Sequence, residues 1–306
     1  VAASVAVLSV LGSGCSCSKL SGEVGDVEFK RCAQLSAPEA RSVRAGEVEL
    51  RIEGRRLEVR ASTDTLRLAA FTGPVGAALT RHEIAALAAA KPQLVVMLGG
   101  LGETPPMATA SLAALSSLEV PTLFLPGGAD RLDVLEEAFD ELSKPERDRI
   151  IHGSGLRELV IGDDHFALVA GAPLGRYAID DGACGFETGD LEEVAEALEA
   201  AVEKKERLWL LSWASPSGWG ISPGYGQTEV GSDDLAELVE DLGARGGLFA
   251  FPESVAGLPV HDASPNGGLR LVVPRLGRTG ATRLEGGRVP SSFALLSVGP
   301  KGLTLH

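Results

Sequence analysis

Large rings are scarce in this 306-residue chain: three Trp, two Tyr and nine Phe make up 5% of it. Its interior must therefore be packed with Leu, Val and Ala, and 38 Gly promise many tight turns. Basic residues are also in short supply, 28 against 42 acids, for a net charge of −14. A nucleic-acid partner is excluded on that balance, since little would neutralise phosphates. Residues 19–60 are close to neutral, and the body from 61 onward carries nineteen bases against thirty-four acids. An acidic body of this kind serves solubility. After the first segment no run of 18 apolar residues occurs, so no transmembrane helix is expected downstream. Five His, at 82, 152, 165, 261 and 306, are too few and too spread to define a ligand set by spacing. Four Cys, at 15, 17, 32 and 184, contain no Cys-x-x-Cys, which argues against structural zinc. Cys17 with Cys32 is one disulfide the spacing permits, with Cys184 then left over.

With 44% hydrophobic and 23% charged residues the composition is that of a folded chain. Val1–Leu11 is an apolar run of signal-peptide length, too short to span a bilayer. Gly12-Ser13-Gly14-Cys15 follows it and resembles the lipobox of bacterial lipoproteins. The resemblance implies a lipid on Cys15, membrane anchorage and an envelope location. An ordinary secretory signal is the alternative.

Residues 1–15 are thus read as a lipoprotein-like signal, 16–46 as a polar tether and 47–306 as one domain. The domain opens with a β-hairpin whose apolar face is Val48, Leu50, Ile52, Leu57 and Val59. Apolar strands are predicted at 66–71, 93–98 and 121–125, with helices between them, one opened by a Thr80/Glu83 capping box. Further helices are expected over 133–142, 190–205 and 232–242, the second of them capped by Asp190 and Glu193. Strands are expected at 157–161, 165–170, 207–212, 247–251, 269–273 and 292–298. Asp163-Asp164 reads as a turn in water, as do Asp180-Asp181 and the surroundings of His261-Asp262. No nucleophile elbow surrounds Ser212, Ser215 or Ser217, and Gly99-Gly100-Leu101-Gly102 lacks the spacing of a nucleotide loop.

The order of elements from about 64 to 304, and the segments that end its strands, resemble the calcineurin-like metallophosphoesterases. Thr72-Gly73-Pro74, Leu98-Gly99-Gly100, Pro126-Gly127-Gly128-Ala129-Asp130, Ser212-Trp213-Ala214-Ser215-Pro216 and Phe251-Pro252-Glu253 stand where that family has its metal-ligand motifs. The resemblance implies an α/β fold of two mixed β-sheets packed as a sandwich and flanked by helices. It also implies a site at the strand ends that would hold two divalent metals. Carried across residue by residue, the ligand positions fall on Thr72, Gly73, Gly100, Gly128, Trp213, Phe251 and Glu253, with Ala129 in place of the His that would steady the leaving group and Asp130 as a supporting acid. Gly, Ala, Trp and Phe cannot ligate a metal, and one carboxylate at Glu253 does not hold two. The expectation is therefore a scaffold without its cofactor, with no catalytic residues and a binding or structural role for an unidentified protein or small molecule. Trp213 and Phe251 are expected to fill the vacated space, the alternative being a stacking pocket for a sugar, lipid or peptide. The alternative is a divergent phosphoesterase or other hydrolase with relocated groups.

Overall fold

The structure is a computed structural model that describes residues 30–32, 35–74, 76–173, 182–203, 207–221, 231–251, 260–263, 268–277 and 292–306. Cys15, Cys17, Asp180, Asp181 and Glu253, singled out in the sequence, lie outside the described residues. For Phe251, His261 and Asp262 only the backbone is described.

In chain order the elements begin with strands β1 (Lys30–Arg31), β2 (Arg41–Ala45), β3 (Val48–Glu53), β4 (Arg56–Ala61) and β5 (Leu66–Phe71). Helix α1 (Arg81–Ala90), β6 (Leu94–Leu98), α2 (Pro105–Ser116), β7 (Thr122–Leu125), α3 (Leu132–Glu141), α4 (Lys144–Arg149) and β8 (Ile150–His152) follow. Then come β9 (Glu158–Ile161), β10 (Asp164–Val169), β11 (Ala172–Pro173), β12 (Cys184–Phe186), α5 (Thr188–Glu203) and β13 (Arg207–Ala214). The chain continues with α6 (Asp233–Leu242), β14 (Gly246–Phe251), β15 (Val260–Ala263), β16 (Leu269–Val272), β17 (Ala294–Gly299) and β18 (Gly302–Leu305).

Local chemistry explains these boundaries. The Thr80 N–H donates to Glu83 Oε2 at 2.6 Å, and Lys91 ends α1 in the left-handed region before Pro92. Ser232 caps α6, accepting from the Leu235 N–H, and Gly243 closes that helix at φ 62°. Strands β6, β7, β9 and β10 are buried at every position, as expected of strands covered on both faces. Strand β3 alternates buried and exposed, because only one of its faces is covered.

Two large mixed sheets result. One has six strands in the order β18-β17-β5-β6-β7-β8, parallel from β5 through β8. The other has nine, β15-β16-β14-β13-β10-β9-β4-β3-β2, with parallel pairs at its centre. Helix α5 packs on β9, β10 and β13, with α6 beside it, while α2 packs on β8 between α1 and α3. This is the mixed α/β arrangement of two sheets with flanking helices that the sequence leads one to expect.

The segment read as a tether differs. Arg41–Ala45 pairs with β3 from Arg41↔Ile52 to Ala45↔Val48 and makes the hairpin a three-stranded meander. Lys30 and Arg31 pair with Cys184 and Gly185. The permitted Cys17–Cys32 pairing also gives way: Cys32 is bonded to Cys184, with Cα atoms 5.3 Å apart. Among the described residues no helix is long and apolar enough to cross a membrane.

Candidate functional site

The C-terminal ends of β5, β6, β7 and β13 meet at one end of the sandwich, where the two sheets face each other. The chain turns there on glycines. The Gly73 N–H donates to the Gly99 carbonyl at 2.9 Å, and the Gly99 N–H donates to the Leu125 carbonyl at 2.8 Å. Gly73 and Gly100 are packed backbone to backbone: a Cβ on Gly100, whose φ is 77°, would lie 2.6 Å from the Gly73 carbonyl oxygen. A Cβ on Gly73 would run into the Gly100 carbonyl. No side chain can stand at either position unless the backbone moves.

Trp213, at the end of β13, covers the next stretch. It is 7% exposed. A Cβ on Gly99 would lie 2.6 Å from its Cδ1, and one on Gly127 would run into the same edge of the indole. Here the ring lies directly on two stretches of glycine backbone from the opposite sheet. Thr72 is buried with its Oγ1 3.5 Å from the Gly99 carbonyl, its N–H donating to the Pro274 carbonyl at 3.0 Å, and the Leu276 N–H donates back to the Thr72 carbonyl at 2.9 Å. Phe251 ends β14 next to Ala214 in the ladder.

Asp130 holds this end together. Its side chain is 1% exposed. Oδ2 accepts the N–H groups of Gly100 (3.0 Å) and Gly127 (2.8 Å), and Oδ1 accepts that of Leu101 (2.9 Å). Burial pushes its carboxyl above the usual range, while the three N–H donors pull the other way. The acid is thus committed to fixing the β6 and β7 loops. Gly128 is buried and Ala129 half-buried in the same turn, which the Asp130 N–H closes onto the Gly127 carbonyl at 3.1 Å.

The candidates from sequence therefore divide. Thr72, Gly73, Gly100, Gly128, Ala129, Asp130 and Trp213 all belong to this end of the sandwich, and none of them offers a free carboxylate or imidazole. Sequence reasoning missed Gly99, whose part depends on contact with a residue 114 positions away. Asp164 is a correction: it is buried rather than solvated, and opens the strand expected from His165, which is buried too. Asp164 accepts two bonds from Arg207 at 2.8 Å each and one from Trp209 Nε1 at 2.8 Å, while His165 Nδ1 lies 2.6 Å from Glu158 Oε1. Arg207 Nη2 also donates to the Gly299 carbonyl of the facing sheet at 3.1 Å, so this group clasps the two sheets at the end opposite Trp213. Among the described residues no group of three or more His, Cys, Asp or Glu could hold a metal ion.

No family model matches the chain, and neither does any curated protein. The protein TT1561 of Thermus thermophilus is similar in structure, with a TM-score of 0.52 at 15% identity over 79% of this chain and 98% of that one. A dimetal phosphatase from Danio rerio has a TM-score of 0.46 at 11% identity, covering 76% and 92%. The structure of PhoD has a TM-score of 0.43 at 10% identity, covering 83% of this chain and 70% of that one. At such identities the likeness is one of fold.

Proposed function

We propose that this chain carries a metallophosphoesterase-like scaffold in the cell envelope for a binding or structural role, without a dinuclear metal centre at its strand ends. The observation that carries the reading is the Trp213 indole seated on Gly99 and Gly127, on ground that metal ligands would otherwise share. The residues around it do not fit two divalent cations. Such cations need converging carboxylates and imidazoles. Here Gly73 and Gly100 have no room for a side chain, and the Asp130 oxygens are taken by three backbone N–H groups.

The envelope location rests on two features. The apolar run before Cys15 provides a signal and a lipidation site. The Cys32–Cys184 disulfide suits an oxidising compartment. In this reading Cys15 carries the lipid, and Cys15→Ser abolishes labelling by a fatty-acid probe.

The test of function is hydrolysis of phosphomonoesters and phosphodiesters by the purified chain with added Mn²⁺ or Zn²⁺. The expected result is no rate above the metal-only blank. Turnover that tracks added protein and is lost with chelator would favour the divergent hydrolase instead.

A further inference from the structure

Two clefts open at the other end of the sandwich, where β5, β6 and β7 begin. One, of about 490 Å³, is lined in part by the Asp164–Arg207 pair. The other, of about 940 Å³, lies between the β2–β3 turn and the outer face of β17, and Thr63 lines both. Its walls are Val48, Pro92, Val120 and Leu295, and Arg67 and Lys91 stand exposed at its rim.

Three properties of the larger cleft define an occupant. Arg67 and Lys91 have no ion-pair partner among the described residues, in a chain whose net charge is −14. The carboxylate that also lines it, Glu47, accepts from Gln93 Nε2 at 3.2 Å. Two cationic side chains against that one carboxylate leave the charge at the rim positive, so the ligand's head should be anionic. Val120 and Leu295 give the cleft half-buried aliphatic surface, so its body should be aliphatic too. Strand β17 is hydrogen-bonded on both sides, to β5 and β18, and offers no free edge on which a peptide strand could add. Beside Leu295, Ser297 Oγ lies 2.6 Å from His306 Nε2, a polar pair on the same wall.

We propose that this cleft binds a single-chain amphiphile with a carboxylate head, of the fatty-acid class, with the head at Arg67 and Lys91 and the chain along Val120 and Leu295. The proposal is independent of how the strand-end site is read. Titration calorimetry of the purified chain with dodecanoate, kept below its micelle concentration, tests it against dodecanol and acetate. Dodecanoate should saturate at one per chain, and dodecanol should bind at least about tenfold more weakly, the equivalent of about 1.4 kcal/mol for the charged head. The double variant Arg67→Gln/Lys91→Gln should lose at least about tenfold in dodecanoate affinity, by the same conversion, with an unchanged urea midpoint. Equal affinity for dodecanol, undiminished affinity in the double variant, or no binding at all would overturn it. So would binding to phosphatidylcholine vesicles without binding of free dodecanoate, which would mark the face as a membrane contact.

Discussion

Gly127 does not adopt a left-handed backbone, yet a larger residue there must displace its surroundings, because the Trp213 ring lies where its Cβ would be. That contact makes a test of the packing possible. Trp213→Ala should cost about 3–5 kcal/mol, as for a ring truncated in a core. Gly127→Ala should cost about 1–3 kcal/mol by overpacking. The double variant should be no less stable than Trp213→Ala alone, because the added methyl then enters the space the indole left. Urea melts of the four proteins measure this, and additive losses would contradict the assigned contact. That a large ring would close this end is legible in an apolar strand ending in Trp. Which glycines it rests on is not, since they come from the other sheet. Asp164 escapes the sequence for a related reason: two acids at a turn signal solvent, and the partner that buries one of them is Arg207, 43 positions on.

His152 provides a second test at the scale of one residue. It lies between Phe124 and Phe139, with ring centroids at 6.1 and 4.9 Å, and burial lowers its pKa from 6.5 to about 4. The unfolded chain thus binds a proton in a range where the folded chain does not. This contribution is fully present above about pH 6.5 and is lost as the pH falls towards 4. The parent should lose more stability between pH 7 and 4.5 than His152→Phe, as read from urea midpoints at both pH values. Parallel losses would show that this imidazole is not shielded.

Among the elements, the N-terminal strap departs most from its sequence reading. Val43 and Ala45 are too few apolar positions to announce a strand, and β2 forms because β3 offers it an edge. Upstream, Arg31 binds Asp190 at 2.7 Å and Cys32 is bonded to Cys184, whose N–H donates to the Asp130 carbonyl at 2.9 Å. The strap is thereby joined to the loop that Asp130 organises. Asp190 caps α5 as its spacing suggests, accepting the Glu187 N–H at 2.8 Å while it also binds Arg31, whereas Glu193 binds Arg157. The disulfide spans 152 positions, and closing so long a loop restricts the unfolded chain. Cys184→Ser should cost about 2–5 kcal/mol in urea melts. A loss within about 0.5 kcal/mol, as for a surface change, would show that the strap is not held through this bond. By contrast β3 to β7 are legible, since each has its own apolar pattern, and α1 and α6 have their own caps.

For the whole molecule, the two sheets meet through different chemistry at their two ends. At one, Trp213 lies on glycine backbone; at the other, Arg207 reaches from Asp164 to the carbonyls of Gly299 and Pro300, the latter at 3.3 Å. The alternation of apolar strands and helices makes the layered α/β class readable, whereas sheet pairing over long separations, such as β4 with β9, leaves no local signal. Closure of the strand-end site to metals is the central claim. Its most direct measurement is elemental analysis of the full chain after incubation with Mn²⁺, Fe²⁺ and Zn²⁺ and removal of unbound ions. No stoichiometric metal is expected, and two equivalents per chain would contradict the claim.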